Sequence, residues 1–87
     1  MGSLEFVEKC KELVSNYTNN HVDPTDHTTV APHDVYVVWS CKTLQNNKAL
    51  LSTTLSDGMY YELTYNGDKQ EIYFDAYMKW DNKAIKI

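Results

Sequence analysis

Two segments with the composition of β-strands, separated by Asp57 and Gly58, most constrain the fold of this chain. Residues 48–56 and 59–65 are rich in β-branched, aliphatic and aromatic side chains. An Asp-Gly pair between such segments favours a two-residue hairpin turn, which needs positive φ at its central positions. Residues 35–43 form an earlier segment of the same kind, followed by turn residues 44–47. The sequence therefore predicts a three-stranded antiparallel meander.

The lengths of the two predicted turns also predict the strand register. A two-residue turn at Asp57-Gly58 and a four-residue turn at 44–47 place every second residue of each strand on one face. The face expected to lie under the helices carries Val35, Val37, Trp39, Cys41, Leu50, Ser52, Thr54, Met59, Tyr61, Leu63 and Tyr65. The opposite face is also apolar and includes Tyr36, Val38, Leu51, Leu55 and Tyr60.

Helical periodicity precedes and follows this meander. Ser3 is a suitable N-cap for a helix that begins at Leu4 and ends at residues 18–20, with an apolar stripe of Phe6, Val7, Cys10, Leu13, Val14 and Tyr17. Asp68 and Glu71 form a capping-box pattern that predicts a second helix over residues 69–80. A fourth strand through Ile72 and Phe74 is the alternative, and residues 84–87 are a candidate short final strand.

These elements predict one α+β domain over residues 1–87, with a helix at each end of the meander and both helices on one sheet face. A chain of 87 residues has room for one core. Two cysteines are too few for the disulfide framework of a small secreted domain, and no leader or membrane-spanning run is visible. We therefore expect a cytoplasmic protein, with Cys10 and Cys41 both buried as small hydrophobic side chains.

The net charge of −4 bears on the choice of partner. All basic residues are lysine, and arginine is the side chain best suited to bidentate contacts with phosphate and guanine. The order helix, three strands, helix is that of double-stranded RNA-binding domains, so nucleic-acid binding is the alternative that topology suggests. The net negative charge disfavours this nucleic-acid-binding alternative.

The long loop over residues 21–33 carries the side chains most suited to a metal. His21, Asp23, Asp26, His27 and His33 are of the types that ligate divalent ions, but their spacing matches no metal motif. A solvated polar loop is the favoured interpretation, and a metal-dependent enzyme is a minor alternative. No catalytic residue and no cofactor are predicted.

The second sheet face is the predicted partner-binding surface. Tyr36, Val38, Leu51, Leu55 and Tyr60 give it an apolar character that an open sheet does not usually show. Aromatic side chains are enriched at protein interfaces. We therefore predict that this face binds another protein or a second copy of the chain.

The stretch from Asp34 to Trp80, through VYVVW, KTLQN, KALLSTT, DGMYYE, TYNGDK and DAY, resembles a family of small uncharacterised proteins. That family is encoded by temperate phages and prophages of Gram-positive bacteria. The resemblance implies a phage accessory protein in the cytoplasm of a bacterial host, and it implies no catalytic or binding residue.

Overall fold

The computed structural model describes residues 1–21 and 28–87. Helix α1 spans Ser3–His21, and a short 3-10 turn at Pro32–Asp34 leads into the sheet. The strands are β1 (Val35–Thr43), β2 (Asn46–Thr53), β3 (Met59–Asn66) and β4 (Glu71–Met78). All neighbouring strands are antiparallel, in the order β1-β2-β3-β4. The N-terminal helix and the first three strands are thus present, and the predicted topology is wrong at the C-terminal end.

The predicted helix over residues 69–80 is replaced by strand β4. The side-chain oxygen of Asn66 accepts hydrogen bonds from the backbone N–H groups of Asp68 and Lys69, at 3.1 and 3.2 Å, so a turn forms where the capping-box pattern predicts a helix start. Pairing then runs along the whole of β4, up to Met59 opposite Met78. Pairing with β3 overrides the local helical pattern. Residues 79–87 have no regular secondary structure, so the candidate final strand is absent.

The core lies between α1 and the inner face of the sheet. The helix packs over β1, β2 and β3, and the ring of Tyr17 reaches Phe74 of β4 at a centroid distance of 4.9 Å. The buried apolar side chains are Phe6, Cys10, Val14, Val30, Val35, Ala49, Leu51, Tyr61 and Leu63. The described residues therefore form two layers, with the single helix α1 packed on one face of the sheet.

The register of β2 differs from the predicted one because the first turn is shorter than predicted. Thr43 pairs with Asn46, so only Leu44 and Gln45 lie between β1 and β2, and Leu44 adopts a positive φ of 56°. The second connection is longer than predicted and occupies residues 54–58. The change at the first turn is two residues and keeps the same side chains on each face, whereas the second connection is three residues longer than predicted. This odd shift places Ala49 and Leu51 towards α1 in place of Leu50 and Ser52. A shift of one residue moves a whole strand's side chains to the other face.

A β-bulge in β1 also changes which side chains of this strand face α1. Pairing passes from Val37 opposite Leu51 to Trp39 opposite Leu50, which leaves Val38 as an extra residue. An extra residue interrupts the alternation of side chains. Trp39 and Cys41, predicted to be inside, are therefore exposed on the outer face.

Side-chain hydrogen bonds from α1 fix the chain just before the sheet. The Asn19 side chain donates to the backbone carbonyl of Val30 at 2.9 Å and accepts from its N–H at 2.7 Å. The Ser15 hydroxyl donates to the same carbonyl at 2.6 Å. These bonds satisfy the backbone of Val30, whose side chain is buried in the core.

Candidate functional site

The outer face of the sheet carries a group of exposed aromatic side chains. Within the described residues α1 covers only the inner face, and Tyr77, Tyr36 and Trp39 are 52%, 47% and 43% exposed. We call this surface the open face and define it by Tyr36, Trp39, Leu50, Tyr60, Glu62, Tyr73, Asp75 and Tyr77. Exposed aromatic groups of this kind are typical of interaction surfaces.

One row of the open face crosses all four strands. Trp39 lies opposite Leu50, Leu50 opposite Glu62, and Glu62 opposite Asp75. The row therefore passes from an indole through an aliphatic side chain to two carboxylates. Cross-strand neighbours on one face have Cβ atoms about 5 Å apart, so these side chains form a continuous surface.

The open face is acidic. Its strands direct Glu62, Glu71 and Asp75 outward, against the single ammonium group of Lys48, which lies 3.4 Å from the Glu62 carboxylate. Glu71 accepts a hydrogen bond from the Tyr73 hydroxyl at 2.9 Å, and this bond raises the pKa of Tyr73. Two of the three carboxylates thus have a partner.

The Asp75 carboxylate differs from the other two. It has no hydrogen bond or ion pair with any residue of the described ranges, and its side chain is exposed. Tyr73 and Tyr77 are on the same strand at two-residue spacing, so an aromatic ring lies on either side of Asp75. A free carboxylate between two exposed rings suits a cation, which both the charge and the ring faces attract.

Of the five residues predicted to bind a partner, three lie on or beside the open face and two lie towards the core. Tyr36 and Tyr60 lie on the open face, and Val38 is the exposed bulge residue beside it. Leu51 is fully buried under α1, and Leu55 is partly buried against the core, so their placement on the outer face is wrong. The cause is the longer second connection, which shifts β2 by three residues against β3, together with the bulge at Val38 in β1. The binding role of the other three stays a prediction.

Sequence reasoning missed five residues of the open face. The sequence predicts Trp39 and Leu50 on the inner face, and Tyr73, Asp75 and Tyr77 in a helix. The alternation of Ile72, Phe74 and Ala76 with polar or aromatic residues is a signal for a strand that was available in the sequence. No local pattern of residues 35–43 marks the bulge at Val38.

A small groove lies at the C-terminal end of α1. Its volume is about 240 Å³, and its lining consists of Tyr17, Thr18, His21, Asp57, Met59 and Tyr61. The His21 ring stacks on Tyr17 at 4.0 Å, and Nδ1 of His21 lies 2.8 Å from the Tyr17 carbonyl oxygen. Burial is the main cause of the raised pKa of Tyr61. Sites for drug-sized ligands usually enclose roughly 300 Å³ or more, so this open groove is the weaker candidate.

The residues suggested as metal ligands do not form a cluster within the described chain. Asp23, Asp26 and His27 lie outside the described residues. His21 lines the groove with Asp57, whereas His33 is exposed 3.5 Å from Asp34. Across residues 1–21 and 28–87, no three His, Cys, Asp or Glu side chains are grouped as a metal site requires.

Two further predictions have a structural outcome. The order that suggested a double-stranded RNA-binding domain is contradicted, because its last element is a strand. In the ranges that the structure describes, no helix combines the length and apolar character needed to cross a membrane.

The fold and the open face define a small α+β protein with a four-stranded meander, covered by a helix on one side. The chain belongs to DUF6275, a family of unknown function, whose model matches residues 7–87. No match was found among curated proteins or among solved structures.

Proposed function

We propose that this chain is a protein-binding module whose open face takes a polypeptide segment with lysine or arginine beside apolar side chains. The observation that carries the proposal is the Asp75 carboxylate between Tyr73 and Tyr77, which has no partner among the described residues, in the row that continues through Glu62 to Trp39. A cation is attracted by the carboxylates and by the aromatic rings, while apolar side chains of the partner bury the rings.

The size of the open face favours a segment over a folded domain. Four strands span about 14 Å across and roughly 26 Å along, which gives an area on the order of 400 Å². A standard interface buries about 800 Å² on each partner. One extended peptide fills a face of this size.

Charge disfavours direct contact between the open faces of two copies. Each open face, together with its outward-facing neighbours Glu71 and Lys48, carries three carboxylates and one ammonium group, so stacking two of them would bring like charges together. Like-charge contacts across an interface cost several kcal/mol. A cationic segment on the open face brings opposite charges together and avoids this repulsion.

The fluorescence of Trp39 can report the binding of a peptide to the open face. Trp80→Phe leaves Trp39 as the single tryptophan of the chain, on the face to be tested. We expect the peptide (Lys-Leu)4 to change its fluorescence with saturation, and the matched peptide (Glu-Leu)4 to leave it unchanged. Asp75→Lys should weaken binding about tenfold, since one close charge contact is worth on the order of 1.5 kcal/mol.

Glu8→Lys is the matched control, because Glu8 is an exposed acid on α1, away from the open face. It makes the same change in net charge and should leave the affinity within about twofold. Equal responses to both peptides, or no response to (Lys-Leu)4 from protein that light scattering shows to be single chains, would contradict the proposed function.

The resemblance of residues 34–80 supports a narrower proposal, that the module is an accessory protein of a temperate phage or prophage and acts in the bacterial cytoplasm. Transcript levels during prophage induction test it. The transcript should rise with those of the neighbouring phage genes, and a level independent of induction would count against it.

A further inference from the structure

The last nine residues of the chain have the chemistry of the segment that the open face would bind. Residues 79–87 have no regular secondary structure, and Trp80 and Ile85 are 93% and 81% exposed, with Ile87 fully exposed. Lys79, Lys83 and Lys86 place three cations among these apolar side chains, against the one acid Asp81, whose carboxylate lies 3.6 Å from the ammonium group of Lys83. Large contiguous apolar surfaces often mark sites of interaction. We call residues 79–87 the tail.

From these features we infer that the tail of one copy binds the open face of a second copy. The inference rests on the proposed function and names the partner of the same surface. Lysines of the tail meet Asp75 and Glu71, and Trp80 and Ile85 meet the exposed rings. The family match extends to residue 87, so the tail belongs to the region that defines the family.

The length of the tail fits this arrangement. Nine extended residues reach about 30 Å, whereas the four strands of the sheet span about 14 Å across. The tail can therefore cross the whole open face of another copy. Reciprocal exchange of two tails produces a closed dimer in which each face and each tail has a partner.

Binding of the tail to its own sheet is disfavoured by the way it leaves β4. The N–H of Lys79 donates to the Gly58 carbonyl at 2.7 Å, which holds the start of the tail beside the beginning of β3. The tail accordingly leaves Tyr36, Trp39 and Tyr77 of its own open face exposed.

The mass of the full-length protein in solution tests the inference. At a concentration of protein well above micromolar, light scattering should give about twice the 10.1 kDa mass of one chain. Lys83→Glu with Lys86→Glu should give the single-chain mass, because the tail then repels the acidic face. Lys9→Glu with Lys11→Glu, on α1, makes the same charge change and should keep the double mass.

A charge swap then tests the pairing of tail with face. Glu71→Lys with Asp75→Lys should also give single chains. Mixing this variant with the Lys83→Glu, Lys86→Glu variant should restore the double mass, since reversed tail and reversed face attract each other. A mixture that stays at the single mass would overturn the inference, as would a double mass that persists in both separate variants.

Failure of the inference can be told apart from failure of the proposed function. If the full-length protein is a single chain but (Lys-Leu)4 still changes Trp39 fluorescence and Asp75→Lys weakens that effect, the face binds another cationic segment and the tail is not its partner. If the peptide also has no effect, both proposals are wrong.

Discussion

Val38 determines which side chains of β1 the open face carries. As the extra residue of the bulge, it reverses the alternation between Val37, which packs against the core, and Trp39, which is exposed. Without the bulge, Trp39 and Cys41 would lie under α1 and the row through Leu50 and Glu62 would lose its indole. A single residue thus decides the chemistry of this surface.

The two cysteines report directly on the bulge. Cys41 is exposed, whereas Cys10 is fully buried on α1, and burial raises the pKa of the Cys10 thiol to about 12. We expect one thiol of the native protein to react quickly with a colorimetric disulfide reagent. The second should react roughly 100-fold more slowly or only after unfolding, because opening the core costs several kcal/mol.

Cys41→Ser is the control, and it should remove the fast reaction while leaving the slow one. Two slow thiols in the native protein would show that Cys41 is inside, as the simple alternation predicts. The Cys10 thiol also has a pH signature. Its folded pKa lies above its unfolded value of roughly 8.5, so its contribution to stability is complete below that pH and is lost as the pH rises towards about 12.

Among the elements, α1 and β4 show which parts of this fold are readable in the sequence. The apolar stripe of α1 is long and regular, and Phe6, Cys10 and Val14 are buried as the stripe predicts. Residues 69–80 fit both a helical and an alternating pattern, and the choice depends on pairing with β3, which is not local information. The first turn is a similar case, because a positive φ at Leu44 has no signal in that residue type.

The turn between β3 and β4 allows a test of whether residues 69–80 form a strand or the predicted helix. A Cβ atom on Gly67 would overlap the backbone carbonyl of Gln45, because this turn packs against the turn between β1 and β2. Gly67→Ala should therefore lower the free energy of unfolding by about 1 to 3 kcal/mol in urea denaturation. If a helix began in this region, the same substitution would leave stability unchanged or raise it by up to about 1 kcal/mol.

Gly2→Ala is the matched control for the removal of a glycine. A Cβ atom on Gly2 would meet nothing within 4 Å, so its effect should stay within about 0.5 kcal/mol. A stable Gly67→Ala protein would argue against the four-stranded sheet.

At the scale of the whole molecule, the decisive property of residues 1–21 and 28–87 is that one helix covers one face of a four-stranded sheet. The α+β composition follows from the patterns of α1 and the first three strands. The open face could be predicted as an apolar surface containing Tyr36 and Tyr60, but the presence of Trp39, Leu50 and Asp75 on it could not. Their positions depend on the bulge at Val38, the connection over residues 54–58 and the pairing of β4, each of which is determined by tertiary contacts.

Leu50 and Leu51 test most directly whether the open face is the binding surface, because they are neighbours in β2 with opposite environments. Leu50 lies in the open-face row opposite Trp39, and Leu51 is fully buried under α1. With methyl-labelled leucine in the Trp80→Phe variant, addition of (Lys-Leu)4 should shift the Leu50 methyl resonances with saturation and leave those of Leu51 in place. Shifts of Leu51 with Leu50 unmoved, or no shifts at all, would contradict the assignment of the open face as the binding surface.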